Sequence, residues 1–189
     1  PPPPPPPPPL FFSNPTPPYP MLRSLVGSEM CIRDRSISLI ALIFLLFQIF
    51  LGAWTSTNYA SLACVDFPTC QGSYLPEMNF KQGFDFSQEV GPNYLYGLLD
   101  NSARVAIHYS HRISAIIVTI VFLILISKLW FSSAAPLAST IGILLLTQIS
   151  LGIINVIYVL PLYVAIAHNL IAATLLLATF TVNYLAWKK

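Results

Sequence analysis

Ile107-His108-Tyr109-Ser110-His111-Arg112-Ile113-Ser114-Ala115-Ile116-Ile117-Val118 sets three ionisable side chains at the head of a long apolar run. Such groups are expensive in hydrocarbon unless they have a partner or a task. The chain has three histidines, and the third, His168, stands at the matching point of another apolar run. This stretch reads as the start of a membrane helix that carries a functional polar cluster, and the rest of the chain is read from it.

Composition agrees. Of 189 residues, 55% are hydrophobic and only 8% charged, and the mean hydropathy is +0.68. Soluble domains carry about a quarter charged residues, so the fold class is an all-α integral membrane protein. A net charge of +2, scattered along the chain, excludes nucleic acid as a partner. All the acids beyond position 35 (Asp66, Glu77, Asp85, Glu89 and Asp100) fall in one polar segment, and no apolar run holds any.

Four runs are long enough to span: about 37–57, 103–130, 136–159 and 162–187. At 1.5 Å per residue each crosses a hydrocarbon core of about 30 Å, and in lipid only the helix satisfies such a backbone. Lys128 follows the second span, and Lys188 and Lys189 the fourth, whereas turn 158–163 carries no charge. Loop 58–102 has one lysine, Lys81, against five acids. The lysines place the C-terminus and the 128–135 connection in the cytoplasm and the loop outside. Arg104, at the outer end, is the one exception.

Residues 1–35 stand apart. Pro1 to Pro9 is a homopolymer, and Val26-Gly27-Ser28-Glu29-Met30-Cys31-Ile32-Arg33-Asp34-Arg35 can be encoded by a transposase adapter of shotgun sequencing libraries. The segment is therefore expected to be a translated artefact, outside the fold, with the natural protein extending further N-terminally. A disordered Pro-rich leader is the alternative. The folding unit is 36–189.

The spans contain a repeat. Gln48-Ile49-Phe50-Leu51-Gly52 in the first recurs as Gln148-Ile149-Ser150-Leu151-Gly152 in the third. Each is followed by a helix with a histidine in its first turns and an alanine four residues later, His111 with Ala115 and His168 with Ala172. The expected architecture is a four-helix bundle built from two copies of one helical hairpin.

The second and fourth spans run in the same direction, so His111 and His168 lie at one depth, about 10 Å below the outer surface. Two imidazoles at one depth on parallel helices are what a bis-histidine haem requires. The reading takes His111 and His168 as axial ligands of the haem iron, with Ala115 and Ala172 leaving room for the macrocycle. Arg112 is the candidate partner for a propionate. Two alternatives stand beside it. The histidines could be hydrogen-bonding members of a helix interface, or part of a proton path, which the lack of acids in the spans disfavours. His108, one turn before His111, is read as a neighbour of the site or a residue at its wetter end, not as a ligand. In the loop, Cys64 and Cys70 flank a proline turn in a compartment expected to be oxidising, and a disulfide is expected. Segment 74–99 is expected to rest on the membrane interface, and Asp100, Asn101 and Ser102 to cap the second span.

Taken in order, Leu51-Gly52-Ala53-Trp54-Thr55-Ser56, Ala63-Cys64-x-Asp66-Phe67-Pro68-x-Cys70, His111-Arg112, the 148–155 stretch and Ala167-His168-Asn169 resemble haem A synthase. The resemblance is to the C-terminal half of the proteobacterial-type enzyme. It implies half of an eight-helix oxidoreductase that converts the C8 methyl of haem O to the formyl of haem A for cytochrome oxidase. It further implies a haem b held by a histidine pair that maps to His111 and His168, and loop cysteines that map to Cys64 and Cys70. In the N-terminal half of that family a glutamate stands three residues before the His-Arg pair; here the position is His108. The departure implies an electron-transfer half that is not catalytic alone. Implied partners are haem O in the other half, haem O synthase, membrane lipid and a second copy of the chain. A stand-alone cytochrome b-type anchor and a non-haem membrane module are the competing functions.

Overall fold

The computed structural model describes residues 35–87, 98–132 and 134–188. The suspected leader, apart from Arg35, and positions 88–97 of the loop lie outside the described residues. Among the described residues there are four long helices: α1 (Arg35–Thr57), α3 (Asn101–Phe131), α4 (Ala135–Ile157) and α5 (Leu162–Trp187). All four are long and apolar enough to cross a membrane. The chain is a multi-pass membrane protein. A short helix, α2 (Phe80–Gly83), interrupts the loop. It begins where the Asn79 side chain accepts from the Gln82 N–H, a local cap that the loop reading did not include.

The helices form a ring in which α1 packs on α3 and α5, and α4 on α3 and α5. The diagonal pairs, α1 with α4 and α3 with α5, do not approach within 8 Å between Cα atoms among the described residues. α3 and α5 both start at the end that bears the loop, here the loop end, and run to the far end.

Burial reproduces the repeat. On α1 the buried residues nearest the far end are Ser38, Ala41 and Leu45, and on α4 they are the equivalent Ala138, Ile141 and Leu145. On α3 the stripe Val118, Phe122, Leu125 and Leu129 corresponds to Leu175, Thr179, Val182 and Ala186 on α5. Spacings of three, four and seven put each set on one helix face, and together they make the far-end core. A polar clasp closes it: Asn183 donates to the Ser38 carbonyl at 2.9 Å, and the Ser38 hydroxyl donates back to Asn183 Oδ1 at 3.3 Å. Around this core Ile43, Leu46, Ile120, Leu123, Ile143 and Leu177 are exposed, where lipid solvates them as well as protein would.

At the loop end the packing is of another kind. Loop residues Ala60, Cys64, Cys70 and Leu99 are buried against Ala103, Val105 and Ile107 of α3. Trp54 Nε1–H donates to the Gly83 carbonyl at 3.0 Å, and Tyr109 Oη–H donates to the Tyr74 carbonyl at 2.8 Å. Helix α3 starts differently from expectation. Asp100 occupies the cap position, but its side chain makes no capping bond; its backbone carbonyl accepts from Ala103 and Arg104, and the Ser102 carbonyl accepts from Asn79. The turn after α4 comes early, at Tyr158, because Val159 and Leu160 adopt positive φ of 56° and 61°.

Candidate functional site

Above the far-end core each helix contributes one polar residue. Gln48 follows Leu45 on α1, and Gln148 follows Leu145 on α4; His111 lies two turns before Val118 on α3, and His168 two turns before Leu175 on α5. These offsets keep each residue on the buried stripe of its helix. The four side chains therefore form a polar layer directly above the apolar core.

Within each hairpin the layer is paired. Gln48 Nε2 lies 3.2 Å from His111 Nδ1 and 3.4 Å from its Nε2, and donates to the His111 carbonyl at 3.2 Å. Gln148 Nε2 lies 3.1 Å from His168 Nε2. One turn beyond each glutamine is a glycine that the imidazole packs against. A Cβ at Gly52 would stand 3.2 Å from His111 Cε1, and one at Gly152 would stand 3.3 Å from His168 Cε1. The sequence repeat thus has a physical content: in both hairpins a Gln-x-x-x-Gly face forms the seat of one histidine ring.

The two seats lie on opposite corners of the ring, since α3 and α5 are diagonal. Whether this donor set suits a haem is testable on its chemistry. Among the described residues no group of three or more His, Cys, Asp or Glu gathers for a bare metal ion. A porphyrin iron brings four nitrogens and needs only two axial ligands. His168 Nδ1, Gln48 Oε1 and Gln148 Oε1 are buried without a hydrogen-bond partner, so the layer retains polar atoms with unmet capacity. Two imidazoles, two glycine-backed seats and these orphan atoms fit a haem between His111 and His168.

Arg112 and the disulfide form a second assembly at the mouth of the first. Cys64 and Cys70 are disulfide-bonded, with Cα atoms 4.7 Å apart. Arg112 Nη1 donates to the Thr69 carbonyl and Nη2 to the Cys64 carbonyl, both at 2.8 Å, and Nε donates to His108 Nε2 at 3.3 Å. The guanidinium thus clamps the cysteine loop onto α3. His108 is not at a wetter end: it is 5% exposed, and it positions Arg112. Replacing Arg112 by alanine removes two charge-assisted bonds of ~1.5–3 kcal/mol each before screening. The disulfide is then expected to be reduced on the order of 10-fold faster by an impermeant phosphine. Arg112→Lys should not restore the wild-type rate, because one ammonium cannot span both carbonyls.

Asp66 shapes the loop from its other side. Its carboxylate accepts from the Thr69 hydroxyl, the Gln71 N–H at 2.6 Å and the Gly72 N–H at 2.9 Å. The Thr69 hydroxyl first, and then the Gly72 N–H, hold the carboxyl well below its ordinary 3.8, at about 2. A lowered folded-state value stabilises the ionised form, so the loop gains from Asp66 above the ordinary carboxylate range. That gain is lost as pH falls from 3.8 toward about 2. Hydrogen exchange at Gln71 and Gly72, corrected for intrinsic rate, should lose protection over that interval. Asp66→Asn should show no such transition.

The model of a family described as cytochrome oxidase assembly protein matches residues 27–180. The chain belongs to that family. Family relatives include a heme A synthase of Shewanella oneidensis, 40% identical over 169 residues, which are 88% of this chain and 51% of the relative. Another from Methylobacterium radiotolerans is 32% identical over 78% of this chain and 39% of its own length. A third, from Rickettsia felis, is 31% identical over 72% of this chain and 38% of its own. The chain thus spans about half, or less, of the length of these curated family members. No solved structure matches it.

For this member of the family the structure brings His111 and His168 into one polar layer and sets Arg112, Cys64 and Cys70 beside it. Gln48, Gly52, Gln148 and Gly152 were visible to sequence reading only as a repeat. Their spacing of four was the available signal, because it places glutamine and glycine on one face. Asp66, the organiser of the cysteine loop, lay unassigned within its motif.

Proposed function

We propose that this chain is the haem b-binding, electron-transferring half of a haem A synthase-type oxidoreductase. The observation that carries the reading is the pair of imidazoles, His111 and His168, at one level on diagonal helices. Each is seated by a glutamine and a glycine of the neighbouring helix. The names of the family relatives support the same reading.

A bound haem b supplies a one-electron couple at its iron. His111 and His168 are the groups that would hold and orient it. Val118, Phe122 and Leu175 beneath the layer keep water from the far end. Arg112 closes the loop end by holding the Cys64–Cys70 segment down. Its remaining N–H groups suit a propionate carboxylate. In this reading the half passes electrons during oxidation of the C8 methyl of haem O to a formyl group, a reaction completed with the other half of the enzyme. The location is the bacterial inner membrane, with Lys128 and Lys188 at the cytoplasmic far end and the loop in the periplasm. Haem O, haem O synthase, lipid and a second copy of the chain are the partners proposed.

The test is spectroscopic. Intact protein purified in detergent should give a low-spin, bis-imidazole signal and a pyridine haemochrome of haem b. A helical, monodisperse preparation without haem, or with high-spin haem alone, overturns the reading.

A further inference from the structure

We infer that Gln48 and Gln148 are positioning residues for the two haem ligands, fixing each imidazole and setting its basicity; this rests on ligation by His111 and His168. A histidine that ligates a metal almost always offers its other ring N–H to an acceptor, which fixes ring orientation and raises ligand basicity. Inside a membrane helix the backbone carbonyls are already engaged by the helix itself. A side chain on a neighbouring helix can supply that acceptor, and in each hairpin the polar side chain in contact with the ring is the glutamine.

Three observations converge on this role. The same pairing occurs in both hairpins, although the flanking residues differ: Phe50, Ala53 and Trp54 in one are replaced by Ser150, Ile153 and Ile154 in the other. In both, the glycine one turn on keeps the ring's Cε1 edge against the helix that carries the glutamine. In both, Oε1 is buried without a partner while Nε2 faces the ring. The amide's oxygen and nitrogen exchange places by a half-turn of the group, and their assignment follows from the hydrogen-bond network. No other bond to Gln148 opposes the turn, which gives its orphan oxygen the ring N–H as a donor. For Gln48 the same turn gives up its 3.2 Å bond to the His111 backbone carbonyl in exchange for the ring N–H as a donor.

A packing role and a basicity-setting role separate experimentally. Gln48→Leu and Gln148→Leu keep the bulk and remove the polar atoms; Gln48→Glu and Gln148→Glu keep an acceptor and strengthen it. In intact, haem-loaded protein the leucine variants should bind haem roughly 10- to 100-fold more weakly. Haem that does bind to them should have a raised midpoint potential, and the glutamate variants a lowered one. Potentials unchanged from wild type in all four variants overturn the proposal, whatever happens to occupancy. If the glutamate variants do not accumulate in the membrane, the leucine variants decide, and an unchanged potential in both overturns it. Failure of the underlying reading looks different: the haem signal then survives His111→Ala and His168→Ala, independently of either glutamine.

Discussion

His111→Ala and His168→Ala are each expected to abolish the low-spin haem signal of the intact protein and to lower its haem content severely. The magnitude separates this from the alternative. As a hydrogen-bonding member of a helix interface, a histidine in a membrane contributes about 0.6 kcal/mol and at most about 1.7. Its loss would leave any spectrum intact. As one of two axial ligands it has no substitute, since the other polar groups of the layer are the two glutamine amides and the opposite imidazole. Removing one ligand leaves the iron high-spin or the site empty. His108→Ala is the matched control. His108 lies one turn nearer the loop end than His111, bonds Arg112 and stands outside the layer, so its loss should loosen the cysteine loop and leave the low-spin signal in place. A reduced-minus-oxidised spectrum with haem-to-protein stoichiometry reads all three variants. Survival of the signal in both ligand variants would return the histidines to a packing role.

Gly52→Leu and Gly152→Leu carry the second large effect. At these two positions the imidazole edge occupies the place of a side chain. A Cβ alone would stand 3.2 Å or 3.3 Å from Cε1 of the ring, so alanine already requires the ring to give by a few tenths of an ångström. Overpacking of this kind costs ~1–3 kcal/mol, partly offset by the ~1 kcal/mol helix preference of alanine over glycine. Leucine adds further carbons to a Cβ already against the ring, so it should displace the imidazole more than alanine does. The variants should keep four helices, because the far-end core is remote from both positions, yet lose the low-spin signal. Gly142→Ala is the internal comparison. Its Cβ meets only Ile126 Cδ1, at 3.9 Å, an ordinary contact. It should be neutral or gain up to about 1 kcal/mol in stability, with haem content unchanged. Equal spectra for Gly52→Leu, Gly152→Leu and Gly142→Ala would show that the glycines form no seat.

Much of this molecule was legible before any coordinates. Spans of 20 or so apolar residues have one viable backbone in lipid, and the helices found begin and end within two residues of those read from hydropathy. The errors lie where that constraint relaxes. The third span ends at Ile157 because Val159 and Leu160 turn left-handed, and hydropathy is blind to φ. The cap of α3 runs through the backbone of Asp100, although its side-chain type favours capping. Helix α2 is four residues long, too short for any periodic signal.

By itself, the sequence determined that the chain threads a membrane four times, that its two hairpins repeat, and that His111 and His168 share a depth. Hydropathy and helical rise are properties of single segments, so these needed no knowledge of neighbours. Tertiary structure alone decided that the histidine helices stand on a diagonal, that Gln48 with Gly52 and Gln148 with Gly152 seat the two rings, and that Arg112 clamps the cysteine loop. Those contacts join residues 20, 43, 48 and 63 positions apart. Which of many apolar faces meet, and where a loop of that length returns, depends on packing the four helices together, and no local pattern encodes it.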